Sequence, residues 1–187
     1  MARVDQLVKQ KRKELFSVEE TKNLSNFSRS QLLSWENAGI VVPIRRPSIF
    51  YNWNQVIFLR ILHDLRKDWS FKQIEKGLKN SPVTLEEIVR DIHKNFIIGF
   101  GDNKGELGFA FSFENPSNDF DSHSMHKILN NAEGFDAIFQ ALLQTNTINT
   151  ARLTFNMITV IKVFEIIEKL KITAREKKIE NFELKVG

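Results

Sequence analysis

A chain of 187 residues that is 42% hydrophobic and 27% charged can bury a core as one domain or two small ones, which excludes wholesale disorder. The absence of cysteine excludes a disulfide framework and thiolate metal sites, and the opening MARVDQLVKQKRKELF has no apolar signal-peptide core. The net charge of +4 is uneven: residues 1–80 carry 15 Lys and Arg against 8 Asp and Glu, whereas residues 81–187 carry 12 against 15.

A basic front half is expected to meet a polyanion. The most apolar run, MITVIKVFEII, is interrupted by Lys162 and is too short to span a bilayer. The expectation is a soluble, cytoplasmic protein with no membrane partner.

In chain order, residues 1–15 read as a basic arm with KQKRK at 9–13. Ser17 with Glu20 three residues on has capping-box spacing for a very short helix carrying Val18 and Leu24. NFS turns the chain. Ser28 with Gln31 repeats the cap, and Leu32, Leu33 and Trp35 follow before NAG ends the second helix. Two short helices so joined predict a helix-turn-helix, with the second helix presented outward.

Residues 41–53, VVPIRRPSIFYNW, place β-branched and aromatic residues around a proline-bounded turn and predict a small hairpin, or wing. NQVIFLRILHDLRKD is a helical stripe capped by Asn52 or Asn54, and SFKQIEKGLK is another helix capped by Ser70.

Within this order stand QLLSWE at 31–36, GIVVPIRR at 39–46, IFYNWNQV at 49–56 and LRKDWSFKQI at 65–74. Residues 16–78 thereby resemble the N-terminal DNA-binding domain of the MerR family of transcription regulators. Leu32, Trp35, Glu36, Gly39, Pro43, Arg45, Tyr51, Val56 and Ile74 fall in register with its motifs. The chain departs from the pattern at Leu33, Ser34, Ile49 and Asp68. The resemblance implies a winged helix-turn-helix, duplex DNA as partner and a C-terminal domain for dimerisation or effector binding.

On that reading Arg45 and Arg46 grip phosphate from a turn held by Pro43 and Pro47, the planar guanidinium taking two oxygens. Tyr51 and Lys22 add backbone contacts. Arg29 and Ser30, at the start of the recognition helix, face base edges, with Gln31 and the cap residue Ser28 as further DNA contacts, and Leu33 either packs inward or touches a thymine methyl. Trp35 reads as a core wedge between the helices. Tyr51 and Trp53 either touch DNA or pack the wing onto the domain.

In the rear half, Thr84 caps a helix holding Leu85, Ile88, Val89 and Ile92. FIIGFGDNKGELGFAFSF predicts a β-hairpin, since Leu107, Phe109, Phe111 and Phe113 alternate. MHKILNNAEGFDAIFQALLQT predicts one or two helices, and residues 148–158 fit either strand or helix. A long terminal helix is expected from Met157, with the stripe Met157, Val160, Phe164, Ile167, Leu170 and Ala174, running through AREKKIENF. That stripe either pairs with a twin chain, making a homodimer for a pseudo-palindromic site, or packs within its own chain.

Enzymatic constellations are scarce: there is no phosphate loop, zinc-protease helix or nucleophile elbow, and no enzyme is expected. His123 and His126 beside Asp119 and Asp121 lack a clear fourth metal ligand. No cofactor is expected. Phe96, Phe109 and Phe111 are candidates to line a pocket for an unidentified apolar effector.

The expected fold is mainly α: a basic arm at 1–15, a MerR-like winged helix-turn-helix at 16–80, and an α+β domain at 81–187 with a hairpin and a long terminal helix. The expected function is sequence-specific transcription regulation by a nucleoid-associated homodimer. The alternatives are an architectural or partition DNA-binding factor, or a protein-interaction adaptor whose degenerate wing domain no longer binds DNA.

Overall fold

Five helices start from the same local chemistry. Ser17 with Glu20, Ser28 with Gln31, Asn52 with Gln55, Ser70 with Gln73 and Thr84 with Glu87 each close a reciprocal capping box. The cap oxygen takes the amide three residues on, and that residue's side chain takes the cap amide, so two otherwise unpaired donors are satisfied.

The computed structural model describes residues 13–45, 48–81, 84–92, 96–102, 107–112 and 155–187. After strand β1 (Phe16–Ser17) come helices α1 (Val18–Ser25) and α2 (Arg29–Asn37), then strands β2 (Ile44–Arg45) and β3 (Ile49–Tyr51). Helices α3 (Trp53–Leu65), α4 (Phe71–Lys79) and α5 (Leu85–Arg90) follow. The rear half contributes β4 (Phe96–Asp102), β5 (Leu107–Ser112), β6 (Phe155–Lys162), α6 (Val163–Glu176) and α7 (Phe182–Val186). Seven helices beside two small antiparallel sheets among the described residues make the molecule mainly α.

The α1–α2 turn is made by Asn26, at φ 62, followed by buried Phe27. Asparagine tolerates that left-handed conformation better than most residues. Gly39, at φ 72, ends α2 and sends buried Ile40 and Val41 towards the hairpin.

The front sheet has the order β1-β3-β2, with Phe16 opposite Tyr51 and Arg45 opposite Ile49. The rear sheet has the order β5-β4-β6. Phe96 lies opposite Ser112 on one side and Lys162 on the other, and a register irregularity falls at Gly101/Asp102.

Helix α3 is the axis of the core. Val56, Ile57, Phe58, Leu59, Ile61, Leu62 and Leu65 are all buried, so it is covered on every side. Helix α6 packs on α3 and α1 and buries Val163, Ile166, Leu170 and Ala174. One apolar cluster therefore runs from Phe16 to Ala174, and it does not divide at residue 80, the expected domain boundary.

The terminal helix is shorter than the sequence pattern suggests. Residues 155–162 form a strand rather than the first turns of a helix. Ile158, Thr159, Val160 and Ile161 are consecutive β-branched residues, and the free edge of β4 gives them a partner. At the other end α6 stops at Glu176. Lys178 (φ 52) and Asn181 (φ 53) take left-handed conformations that fold α7 back. The basic run at 9–12, His123 and His126, and the helical pattern at 125–145 lie outside the described residues.

Candidate nucleic-acid interface

Helix α2 is fastened by two side chains. Leu32 and Trp35 are buried at 3% and 1% exposure, and Trp35 lies 4.4 Å, centroid to centroid, from Phe71 of α4. Trp35 is a core residue, as expected, and the ring neighbours that hold it are Phe71 of α4 and Phe27 of the α1–α2 turn. At roughly 100° per residue, the direction opposite these two anchors falls among Ser30, Leu33, Ser34 and Asn37. Arg29 and Glu36 border that arc on one side and Gln31 on the other. All four arc residues and Arg29 are exposed.

The polar groups on this face are largely engaged already. Gln31 Oε1 accepts from the Ser28 amide at 2.8 Å, so its carboxamide is committed to the cap. Ser28 Oγ accepts from the Gln31 amide and shares a hydrogen bond with Ser30 Oγ at 3.0 Å. Ser34 Oγ donates to the Ser30 carbonyl at 3.0 Å. Arg29 and Asn37 carry no such bond among the described residues.

The electrostatics separate α2 from α1. Helix α1 has Glu19 and Glu20 in its first turn, whereas α2 has no acid there and begins with Arg29. A helix start without acid leaves the positive end of the macrodipole uncompensated, a setting that suits an anion.

Arg45 reaches back from β2 to Glu36. Its Nε lies 2.7 Å and its terminal nitrogen 2.6 Å from the same carboxylate oxygen. Glu36 is 13% exposed and Arg45 58%, so one side of the guanidinium faces solvent while its charge is shared with an acid. The turn is thus not free to offer Arg45 as an unopposed cation. Arg46 lies outside the described residues.

Of the remaining expected contacts, Lys22 pairs with Glu19 at 2.8 Å. Tyr51 is 3% exposed, and burial, reinforced by the Glu36 charge and partly opposed by Arg45, raises its phenol above the ordinary value. It is a packing residue of the hairpin, and its ring is not on the surface where a phosphate would meet it.

The expected dimerisation stripe is also redistributed. Met157 and Val160 lie on β6, and their side chains lie outside the described residues, as do those of Phe96, Phe109 and Phe111. Leu170 is buried at 1% exposure by its own chain, Ile167 is half-buried, and Phe164 stays exposed at 40%. Leu170 is corrected from an interface residue to a core residue.

Of the two outcomes expected for Leu33, packing inward and lying at the surface, the structure shows the second, at 49% exposure. Glu36 and Asn37 were not expected as site residues, and the signal for Asn37 is that it shares the four-residue stripe of Arg29 and Leu33. Glu36 has no such signal, because its arginine lies nine residues on, across the Gly39 turn.

Elsewhere, a cleft of about 240 Å³ opens between the turn after α3 and the β6–α6 junction. Its lysines face acids: Lys67 pairs with Asp64 at 2.7 Å, and Lys162 and Lys169 lie 3.5 and 3.9 Å from Glu165. Among the described residues no group of three or more His, Asp and Glu could hold a metal, and no helix is long and apolar enough to cross a membrane.

No protein-family model matches the chain, and a search of curated proteins returns no match.

Proposed function

We propose that residues 16–78 form a MerR-like winged helix-turn-helix that binds duplex DNA through α2, and that the chain is a sequence-specific transcription regulator of the cytoplasmic nucleoid. The observation that carries this reading is the outward arc of α2. It is exposed, free of acid and bordered by Arg29, and the one acid of the helix, Glu36, is held by Arg45.

On this reading α2 enters the major groove, and the solvent-facing side of Arg45 steadies it against the phosphate rail. The experiment is fluorescence anisotropy on duplexes selected from genomic DNA, as a function of salt. Arg29→Ala and Arg45→Ala should each weaken binding, and each lost phosphate contact should lower the salt slope by about one. Flat anisotropy for the parent at low salt would sink the reading.

Homodimerisation belongs to the same proposal on a smaller footing. Helix α6 spends Leu170, Ile166 and Ala174 on its own core and keeps Ile172, at 53% exposure, on its surface for a twin. Sedimentation velocity with and without DNA tests this, a monomeric complex on a full site being the contrary result.

A second reading, a protein-interaction adaptor, is favoured by a different observation. Leu33, Val42 and Ile44 are exposed at 49%, 64% and 44% on α2 and on the approach to the hairpin. Retention of a protein partner by a parent chain that gives flat anisotropy would select it.

A further inference from the structure

We propose that Leu33 is a specificity-determining residue of α2 and that it reads the 5-methyl group of thymine in the major groove. This rests on the reading of α2 as the DNA-facing helix and adds to it what kind of base the helix selects.

An exposed leucine on its own is ordinary. What distinguishes Leu33 is its company. Along the arc, Ser30 and Ser34 have their hydroxyls in bonds with Ser28 and the Ser30 carbonyl, and Gln31 has its carbonyl oxygen in the cap. A capped Gln31 cannot present the donor and acceptor pair that recognises adenine while it holds the helix start. Three exposed side chains remain on one stripe at four-residue spacing: Arg29, Leu33 and Asn37.

Leu33 stands in the middle of that stripe, with Arg29 and Asn37 each about 6 Å away along the axis. Its side chain has no donor or acceptor. The major-groove feature best matched to such a group is the thymine methyl, the one methyl group among the four base edges. Arg29 and Asn37 are the residue types that take guanine and adenine in two-point hydrogen bonds, so a polar reader flanks the apolar one on either side. Leu33 is 49% exposed, and a methyl group seated on it would remove apolar surface from water on both partners.

The test isolates the methyl group. Duplexes recovered by the full chain from a random-sequence pool are resynthesised with deoxyuridine replacing thymidine, one position at a time, and affinities are read by anisotropy at fixed salt. Uracil keeps every hydrogen-bonding atom of thymine and lacks only the methyl. For the parent, one or two thymine positions should lose about fourfold in affinity on replacement, the effect expected for one buried methyl group. For Leu33→Ala the same replacement should make no difference. Leu33→Gln, which fits an exposed helical site equally well, should also lose the thymine preference while it continues to bind.

If the parent binds thymidine and deoxyuridine duplexes equally, the inference is overturned while DNA binding through α2 stands. If Leu33→Ala still distinguishes the two, another residue reads the methyl and the inference is likewise overturned. A parent chain that recovers no duplex at any salt overturns both this inference and the function it rests on.

Discussion

Glu36 accepts two nitrogen contacts from Arg45 on one oxygen, so the charge on which a phosphate would draw is half spent before DNA arrives. Glu36→Gln keeps the length and an acceptor oxygen but removes the negative charge. Binding should tighten a few-fold at low salt, and the salt dependence should steepen, because Arg45 then meets phosphate as a full cation. Folding stability should fall by less than about 1 kcal/mol, since the arginine is more than half exposed and solvent screens the pair. Anisotropy and urea titration read the two effects separately, and weaker binding would mean that Glu36 aims Arg45 rather than merely offsetting it. A second residue sets a pH dependence. Burial, then the Arg60 charge with a smaller push from Lys67, holds His63 below its ordinary value of 6.5 despite the opposing pull of Asp64. The unfolded chain therefore takes a proton that the folded chain resists. The stability this provides is complete above 6.5 and is lost as pH falls through the folded value. His63→Gln should flatten that part of the urea-midpoint profile between pH 7 and 5, and a difference profile without slope in this range would refute the assignment. Asp64 acts lower down. Burial would raise it, but the Lys67 hydrogen bond and the Arg60 charge outweigh burial, so its own loss of stability falls below its ordinary 3.8.

At the scale of elements, caps decide where helices begin. Ser28→Ala removes the oxygen that takes the Gln31 amide, and it should cost about 1 kcal/mol in thermal or chemical unfolding, with Ser28→Asp retaining most of the stability. A loss below a few tenths would show that the α2 start is held by Leu32 and Trp35 alone. These caps are also why so much of the helical pattern was legible: an Oγ or Oδ three residues before Glu or Gln is a local signal, and Ser17, Ser28, Asn52, Ser70 and Thr84 each carry it. The rear hairpin was legible for the same reason, since alternation from Leu107 needs no knowledge of distant residues. Three features were not. Strand β1 is two residues long, and its partner Tyr51 lies far along the chain, so nothing local announces the pairing. Met157, Val160 and Phe164 satisfy a helical spacing, yet the pairing of β6 with β4 overrides it. The Arg45–Glu36 contact arises only once the Gly39 turn folds the hairpin back on α2, which leaves the exposed face of α2 readable from sequence and the state of its neighbouring arginine unreadable.

Across the whole molecule, α7 is fastened to the β1–α1 segment. Phe182 of α7 meets Phe16 and Trp53 with ring centroids 6.2 and 5.6 Å apart, and Lys185 lies 5.3 Å over the Phe16 ring. Lys185 also pairs with Glu20, whose other oxygen closes the α1 cap, so a single carboxylate serves both the start of α1 and α7. The pair is mostly buried, at 6% and 20% exposure, and Lys185→Met should cost about 1.5–3 kcal/mol, the range for hydrogen bonds to charged groups. The same closure bears on whether the front unit can stand alone. A fragment of residues 1–80 would bare the faces of α1 and α3 that α6 covers with Val163, Ile166 and Leu170. Each such side chain is worth roughly 1.5–3 kcal/mol when fully buried, and their sum is comparable to the about 5–15 kcal/mol by which a domain is stable at all. The fragment should therefore show little cooperative structure by circular dichroism at 25 °C, while the full chain unfolds with one transition at the tryptophans and in the backbone signal alike. A fragment with its own sigmoidal urea transition would mean that the front unit owns its core and that α6 and α7 are ornament to it; failure to fold would mean that anything perturbing the rear half reaches α2 through α1 and α3.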